Sequence, residues 1–347
     1  TSVDTQDVDM EQFYHNFVMS PTALWNWGKC QKKFYEEIIC RKPQISTDPL
    51  AFGNVMDDVL NEIYRKRNDN IRHFSVMVRE AVTMAYNYDE IYKTVTLASK
   101  ADFISYFYDA VERLKGMSSV CNEEKKVTYD RIAKKVAPKL SIYYDDTMVT
   151  SAKENLSAPR YSIGKLDDDT ENMIPCMKEC VAYFEEAMKR DKGNFSGVND
   201  GKDFAFESLL FKGKEMLKEY YVNELSKPLG SGSYFPQYRV NTRLPNGIPI
   251  KVISDLTHFI YGADDKKEYE VGVNVIDHKT GRYSNSKFYN LDKVVPDMQR
   301  GDIGGIYFIQ AMFSLLAYEN HSSVSKGDGL MTYIYLRNVE IHQINLD

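Results

Sequence analysis

Asp277, His278 and Lys279 close a run of alternating apolar residues, EYEVGVNVID, that has the period of a β-strand. Residues two apart in a strand share a face, which sets the Asp277 carboxylate beside the Lys279 ammonium. A second carboxylate, Asp255, falls inside another strand-like run just upstream, IPIKVISDLTHFI. Adjacent strands can bring both carboxylates to one end of a sheet. Two close carboxylates raise each other's pKa unless a cation sits between them. Mg²⁺ suits that place, because it takes hard oxygen ligands, keeps several waters and often uses only one or two carboxylates. A lysine next to it can orient or deprotonate a water, or offset charge building on a phosphate. Phosphodiester hydrolysis by a metal-activated water uses all of these parts. An isolated Asp-x-Lys at a strand end is ordinarily a solvated ion pair, so the surroundings decide.

The elements that must position these residues follow from pattern. Ser20-Pro21 is a helix start, with Ser as N-cap and Pro at the first helical position. Ala23, Trp27, Cys30, Phe34 and Ile38 then predict one apolar helix face. Asp48-Pro49 starts a second helix, carried by Phe52, Met56, Val59 and Ile63 and expected to end in the polar run RKRNDN. Residues 71–228 read as mostly helical, with breaks near Pro138, Pro159 and the Gly-rich stretch 193–201. The texture changes after Pro228. GSGSYFPQ reads as a loop, and YRVNTRL and IPIKVISDLTHFI as two strands about a tight turn at Pro245-Asn246-Gly247. After the Asp277 strand come a helix near 303–320 and a closing strand or strand pair in GLMTYIYLRNVEIHQI. This order predicts an α+β fold in three parts: N-terminal helices over 1–70, a helical insertion over 71–228, and a sheet carrying the chemistry over 229–347.

Four blocks of this chain, in order, resemble the RecB-like branch of the PD-(D/E)XK nuclease superfamily. They are SPTALWNWGKCQKKFYEEII, AFGNVMDDVLNEIY, the pair IKVISDL and VNVIDHKTGR, and GGIYFIQAMFSLLAYE. The resemblance implies a restriction-endonuclease-like core: a central mixed sheet flanked by helices, here with a large helical insertion. It implies a metal-dependent DNA nuclease, exonuclease-like, acting in replication, recombination or repair. Mg²⁺ or Mn²⁺ would be the cofactor, DNA the substrate, and a helicase or recombination protein the kind of partner that delivers it. By the same resemblance Asp255 and Asp277 are metal ligands, Lys279 is the catalytic lysine, and the carbonyl of His278 supplies a further metal oxygen. The family often has His four residues after the Gly of Phe-Gly. Here Gly53 leads to Asp57, one helical turn on, as a carboxylate ligand, with Asp58 and Glu62 as alternatives for the role. Gln310 matches the Gln of the helix that follows the catalytic strands, but Ser314 stands where a Tyr is common. These departures keep open a second reading, a catalytically inactive nuclease-fold subunit for DNA binding or assembly.

Other chemistries find little support. The net charge of −6 argues against a protein that holds polyanions by bulk charge. Local basic clusters remain, at Lys29, Lys32, Lys33, Arg41 and Lys42, at Arg65, Lys66 and Arg67, and at Lys125, Lys126, Arg131, Lys134, Lys135 and Lys139; Arg282, just after the catalytic strand, could meet a phosphate. The five cysteines are odd in number and none follows Cys180, so neither a disulfide framework nor an iron–sulfur cluster is expected. The six histidines lack zinc-ligand spacing, and no Gly-rich Lys-Ser/Thr loop marks an ATPase. The polar, acidic start does not have the character of a secretory signal, and no long apolar run predicts a membrane span. The expected setting is a reducing, cytoplasmic one.

Overall fold

The computed structural model describes residues 17–42, 47–86, 100–117, 121–143, 173–195, 198–199, 202–203, 206–226, 233–263, 268–282, 305–319 and 329–345. Pro159 and parts of the 193–201 stretch lie outside them. The chain divides into two compact units, one of residues 1–65 with 174–347 and one of 66–173.

The first unit is built on a five-stranded mixed sheet in sequence order: β1 (Ser233–Arg243), β2 (Pro249–Ala263), β3 (Glu268–Lys279), β4 (Gly329–Tyr335) and β5 (Glu340–Asn345). Neighbours are antiparallel except β3 and β4, which run parallel across a helical crossover, α8 (Ile306–Glu319). The β1–β2 turn forms as its residues demand. Gly247 takes φ 85°, open to glycine without steric cost, and its N–H donates to the Leu244 carbonyl at 2.8 Å. GSGSYFPQ is not wholly a loop: Ser233 to Gln237 already belong to β1, because Tyr234 is buried in the core. The fold is thus α+β, a mixed sheet flanked by helices.

Each face of the sheet has its own core. On one face Val240, Ile250, Val252, Val273, Val275, Met331 and Tyr333 pack under α8, with Met19 and Leu24 at the margin. Leu24 belongs to α1 (Pro21–Lys29), which begins as its sequence directs: Ser20 Oγ accepts from the Ala23 N–H at 3.2 Å. The expected single apolar face through Ile38 does not form. At Cys30 the chain becomes extended (φ −158°) and restarts as α2 (Gln31–Phe34), whose Lys33 N–H donates to Cys30 Sγ at 3.4 Å. Trp27 is left 51 % exposed, edge-on to Phe34.

On the other face Leu256, Ile276 and Ile334 pack against Phe52, Val55, Met56 and Leu60, and against Cys180, Phe184, Leu217 and Tyr220. Those partners come from the start of α3 (Asp48–Tyr86), from α6 (Met177–Arg190) and from α7 (Phe206–Tyr220). The residues from 174 onward therefore belong to the sheet unit, and the helical unit ends at Met173, well short of 228. Here α3 does not stop at RKRNDN. It runs 39 residues, because no Gly or Pro follows Gly53 and the polar run pairs with its helical neighbours one turn away, Arg65 with Glu62 at 2.8 Å and Asp69 with Arg72 at 2.9 Å.

The second unit holds the rest of α3 with α4 (Lys100–Gly116) and α5 (Glu123–Tyr143) around Phe74, Met77, Phe107, Val111, Tyr129 and Ile132. Its buried Tyr129 hydroxyl donates to Glu80 at 2.9 Å. Pro138 does not end α5, which continues to Tyr143.

Candidate active site

The β2–β3 ladder ends at the pair Leu256–Ile276, so Asp255 and Asp277 are the next residues across from one another. Asp255 takes over where the backbone ladder stops: its Oδ2 accepts the His278 N–H at 2.9 Å. Asp277 and Lys279 point to the α8 face, as residues two apart in β3 must. There the Lys279 ammonium forms an ion pair with Asp277 Oδ1 and lies 4.9 Å from the ring centre of Tyr307 and 5.9 Å from that of Tyr333. Gln310, one turn beyond Tyr307 on α8, donates from Nε2 to Asp277 Oδ2 at 2.6 Å.

Asp57 comes in from α3. The turn before it is held close to the end of β3: a methyl group added at Gly53 would sit 3.6 Å from Thr280 Oγ1. Burial, followed by the charges of Asp255 and Asp277, pushes the Asp57 carboxyl up to about 8. Its neighbours are engaged elsewhere, Asp58 with Arg190 at 2.9 Å and Glu62 with Arg65. Of the three acidic residues on this stretch, Asp57 is thus the one whose charge is coupled to the strand carboxylates.

The electrostatics are those of a crowded anionic site. Burial raises the pKa of Asp277, with Lys279 opposing and Asp255 adding to the rise. Burial likewise raises Asp255, against the pull of Lys279 and of the His278 N–H. Burial works against the Lys279 ammonium, yet Asp277 outweighs it and the lysine's pKa is raised. A protonated lysine among carboxylates that resist ionisation is charge-starved, and a divalent cation would relieve it.

The donor set fits a hard cation. The oxygens of Asp57, Asp255 and Asp277 are the ligands that Mg²⁺ or Mn²⁺ prefers. Asp277 Oδ1 is buried and makes no directed hydrogen bond beside its ion pair with Lys279. Among the described residues, however, no three His, Cys, Asp or Glu side chains are already gathered into a metal-holding group. The side chains as they stand are turned toward protein donors, namely Lys279, Gln310 and the His278 N–H.

The side chain of His278 leaves on the opposite face. Its Nε2 meets the Tyr220 hydroxyl at 3.1 Å, and that hydroxyl lies 3.4 Å from Tyr64. Burial lowers the His278 pKa to about 4, so the ring is neutral near neutrality and hydrogen-bonded to the Tyr220 hydroxyl. Arg282 is exposed beyond the end of β3. All five cysteines are free thiols: Cys176 caps α6 together with Glu179, while Cys180 is buried. Spacing within the sequence does not point to Tyr307, Tyr220 or Gly53–Thr280, because their partners are distant in the chain. No protein-family profile matches the chain, and a comparison with curated proteins found none similar.

Proposed function

We propose that this chain is a divalent-metal-dependent nuclease that hydrolyses the phosphodiester bonds of DNA. The observation that carries the reading is the convergence of Asp255, Asp277 and Lys279 at the end of β3, beside the middle of β2, with Asp57 of α3 electrostatically coupled to both strand carboxylates. Asp57, Asp255 and Asp277 would hold the ion, with the backbone carbonyl of His278 as a further oxygen. The ion would supply a water acidic enough to attack phosphorus near neutral pH and a positive charge for the transition state. Lys279 holds its proton on Nζ and offsets negative charge on a phosphate oxygen, with the Tyr307 ring beside its ammonium. Gln310 fixes Asp277 through Oδ2. Exposed Lys29, Lys32 and Lys33 on the α1–α2 corner offer phosphate contacts, which would make binding salt-dependent.

Exonuclease-like action in repair or recombination, beside a helicase or recombination protein, is the setting proposed for it. Among the described residues no helix is long and apolar enough to cross a membrane. The Lys279–Asp277 ion pair, which occupies a ligand oxygen, favours one other reading: an inactive nuclease-fold subunit that binds DNA without cutting it. A Mn²⁺ titration by calorimetry, with Asp277→Ala as control, separates the two. The nuclease must bind the ion through Asp277; the inactive subunit need not bind it.

A further inference from the structure

In the lower half of β2 the even residues face α8: Ile250 and Val252 lie in that core, and the Ser254 hydroxyl meets the Tyr318 hydroxyl at 2.8 Å. Past Asp255 the parity inverts. Leu256 lies in the opposite core and His258 stacks on Tyr234 at 4.0 Å, while Thr257 and Phe259 face α8. The neighbouring strand inverts at the same level. Tyr238 and Val240 face α8, whereas Tyr234 faces the other way. Between the paired rows Pro236–Leu256 and Tyr238–Ser254, the row Gln237–Asp255 is missing from the ladder. Gln237 occupies the left-handed region, φ 51°, which a non-glycine residue inside a strand rarely adopts. Both strands thus spend one residue on a turn of face, and a residue in each is freed from pairing.

The consequence falls on Asp255. Released from β1, it turns toward β3, where its carboxylate takes the His278 N–H in place of the next ladder carbonyl. The switch is pinned from α8. Ser254 and Thr257 sit on either side of it, and both hydroxyls converge on Tyr318 and on each other at 2.7 Å. Pro236 contributes by having no N–H to offer a ladder.

We infer that Gln237 is a positioning residue: its left-handed backbone turns Asp255 out of the β1–β2 ladder and into the site. The geometry stands by itself. Its effect on metal binding and cutting rests on the nuclease reading above.

The test is hydrogen exchange of ¹⁵N-histidine-labelled full-length protein, read at His278 and, for reference, at His258 inside the regular ladder. Gln237→Gly accepts a positive φ freely and should leave the His278 amide as protected as in the wild type. Gln237→Val resists that φ and should speed exchange at His278 by about tenfold or more, with His258 little changed. Asp255→Ala should match it. Gln237→Ala, easier to accommodate, should show a smaller change of the same sign and serves if the Val variant does not fold. Equal protection in the wild type, the Val and the Ala variants overturns the proposal, as does an unprotected His278 amide in the wild type. Mn²⁺ affinity is read in parallel and should fall about tenfold or more in Gln237→Val but not in Gln237→Gly. If exchange behaves as stated while the wild type binds no Mn²⁺ and cuts no DNA, the nuclease reading fails and the positioning of Asp255 by Gln237 stands.

Discussion

Asp57→Asn removes a carboxyl group that the folded site keeps protonated up to about pH 8. In an unfolded chain the same group ionises near ~3.9. The folded pKa lies above the unfolded one, so folding takes up a proton between those limits. The associated stability is fully present below about pH 4 and is lost as pH rises through about 8. Each tenfold in proton affinity is worth about 1.4 kcal/mol, which sets a ceiling of about 6 kcal/mol on that loss. Asp57 is partly open to solvent, and screening brings the expected loss to roughly 2–3 kcal/mol. In EDTA, wild-type Tm should therefore fall between about pH 5 and pH 8.5, while the variant, which keeps only the raised Asp255 and Asp277, should fall less. Their gap at the alkaline end should be roughly 4–12 °C, at about 2–4 °C per kcal/mol for a unit of this size. Mn²⁺ should reverse the order at alkaline pH. An ion at about a hundred times its dissociation constant stabilises the wild type by about 2.7 kcal/mol, and the variant lacks a ligand. Thermal melts followed by circular dichroism, with EDTA and with Mn²⁺, are sufficient. Parallel pH profiles in EDTA would refute the placement of Asp57 among the strand carboxylates.

Three further perturbations probe the frame around the site. Gly213→Ala places a methyl 2.0 Å from the Phe184 ring, which is fully buried and cannot swing away; denaturant titration should show a loss of about 2–3 kcal/mol or no folded protein. Gly53→Ala meets only an ordinary contact with Thr280, so it should be neutral or raise stability by up to about 1 kcal/mol by the same titration. Tyr220→Phe leaves the buried His278 Nε2 without its hydrogen-bond partner and should cost about 1–3 kcal/mol, an unchanged melting curve being the contrary result.

The strands bearing Asp255, Asp277 and Lys279 were legible because apolar alternation over many residues fixes a strand, and a spacing of two fixes a face. The start of α1 was legible because Ser20 and Pro21 act locally. Long-range partners were not. Gln310 on Asp277, Tyr307 over Lys279 and Asp58 on Arg190 join residues that share no local pattern. The unbroken course of α3 ran against a polarity cue, since RKRNDN is hydrophilic yet carries the good helix formers Arg65, Lys66 and Arg67 and no Gly or Pro, and ion pairs run along the axis on either side of it. The assignment of α6 and α7 to the sheet unit depends on which apolar faces meet, as Phe184 and Leu217 do with Leu256. The face switch at Gln237 and Asp255 lay beyond a strict period of two, and Pro236 inside a strand was its one local sign.

The central claim is tested most directly by cleavage of end-labelled single- and double-stranded DNA with Mg²⁺, Mn²⁺ or EDTA, comparing the wild type with Asp277→Ala and Lys279→Ala. The account predicts cutting that needs the metal and falls by about a hundredfold or more in each variant. Cutting that survives both substitutions, or a wild type that binds DNA and leaves every substrate intact with either metal, would contradict it.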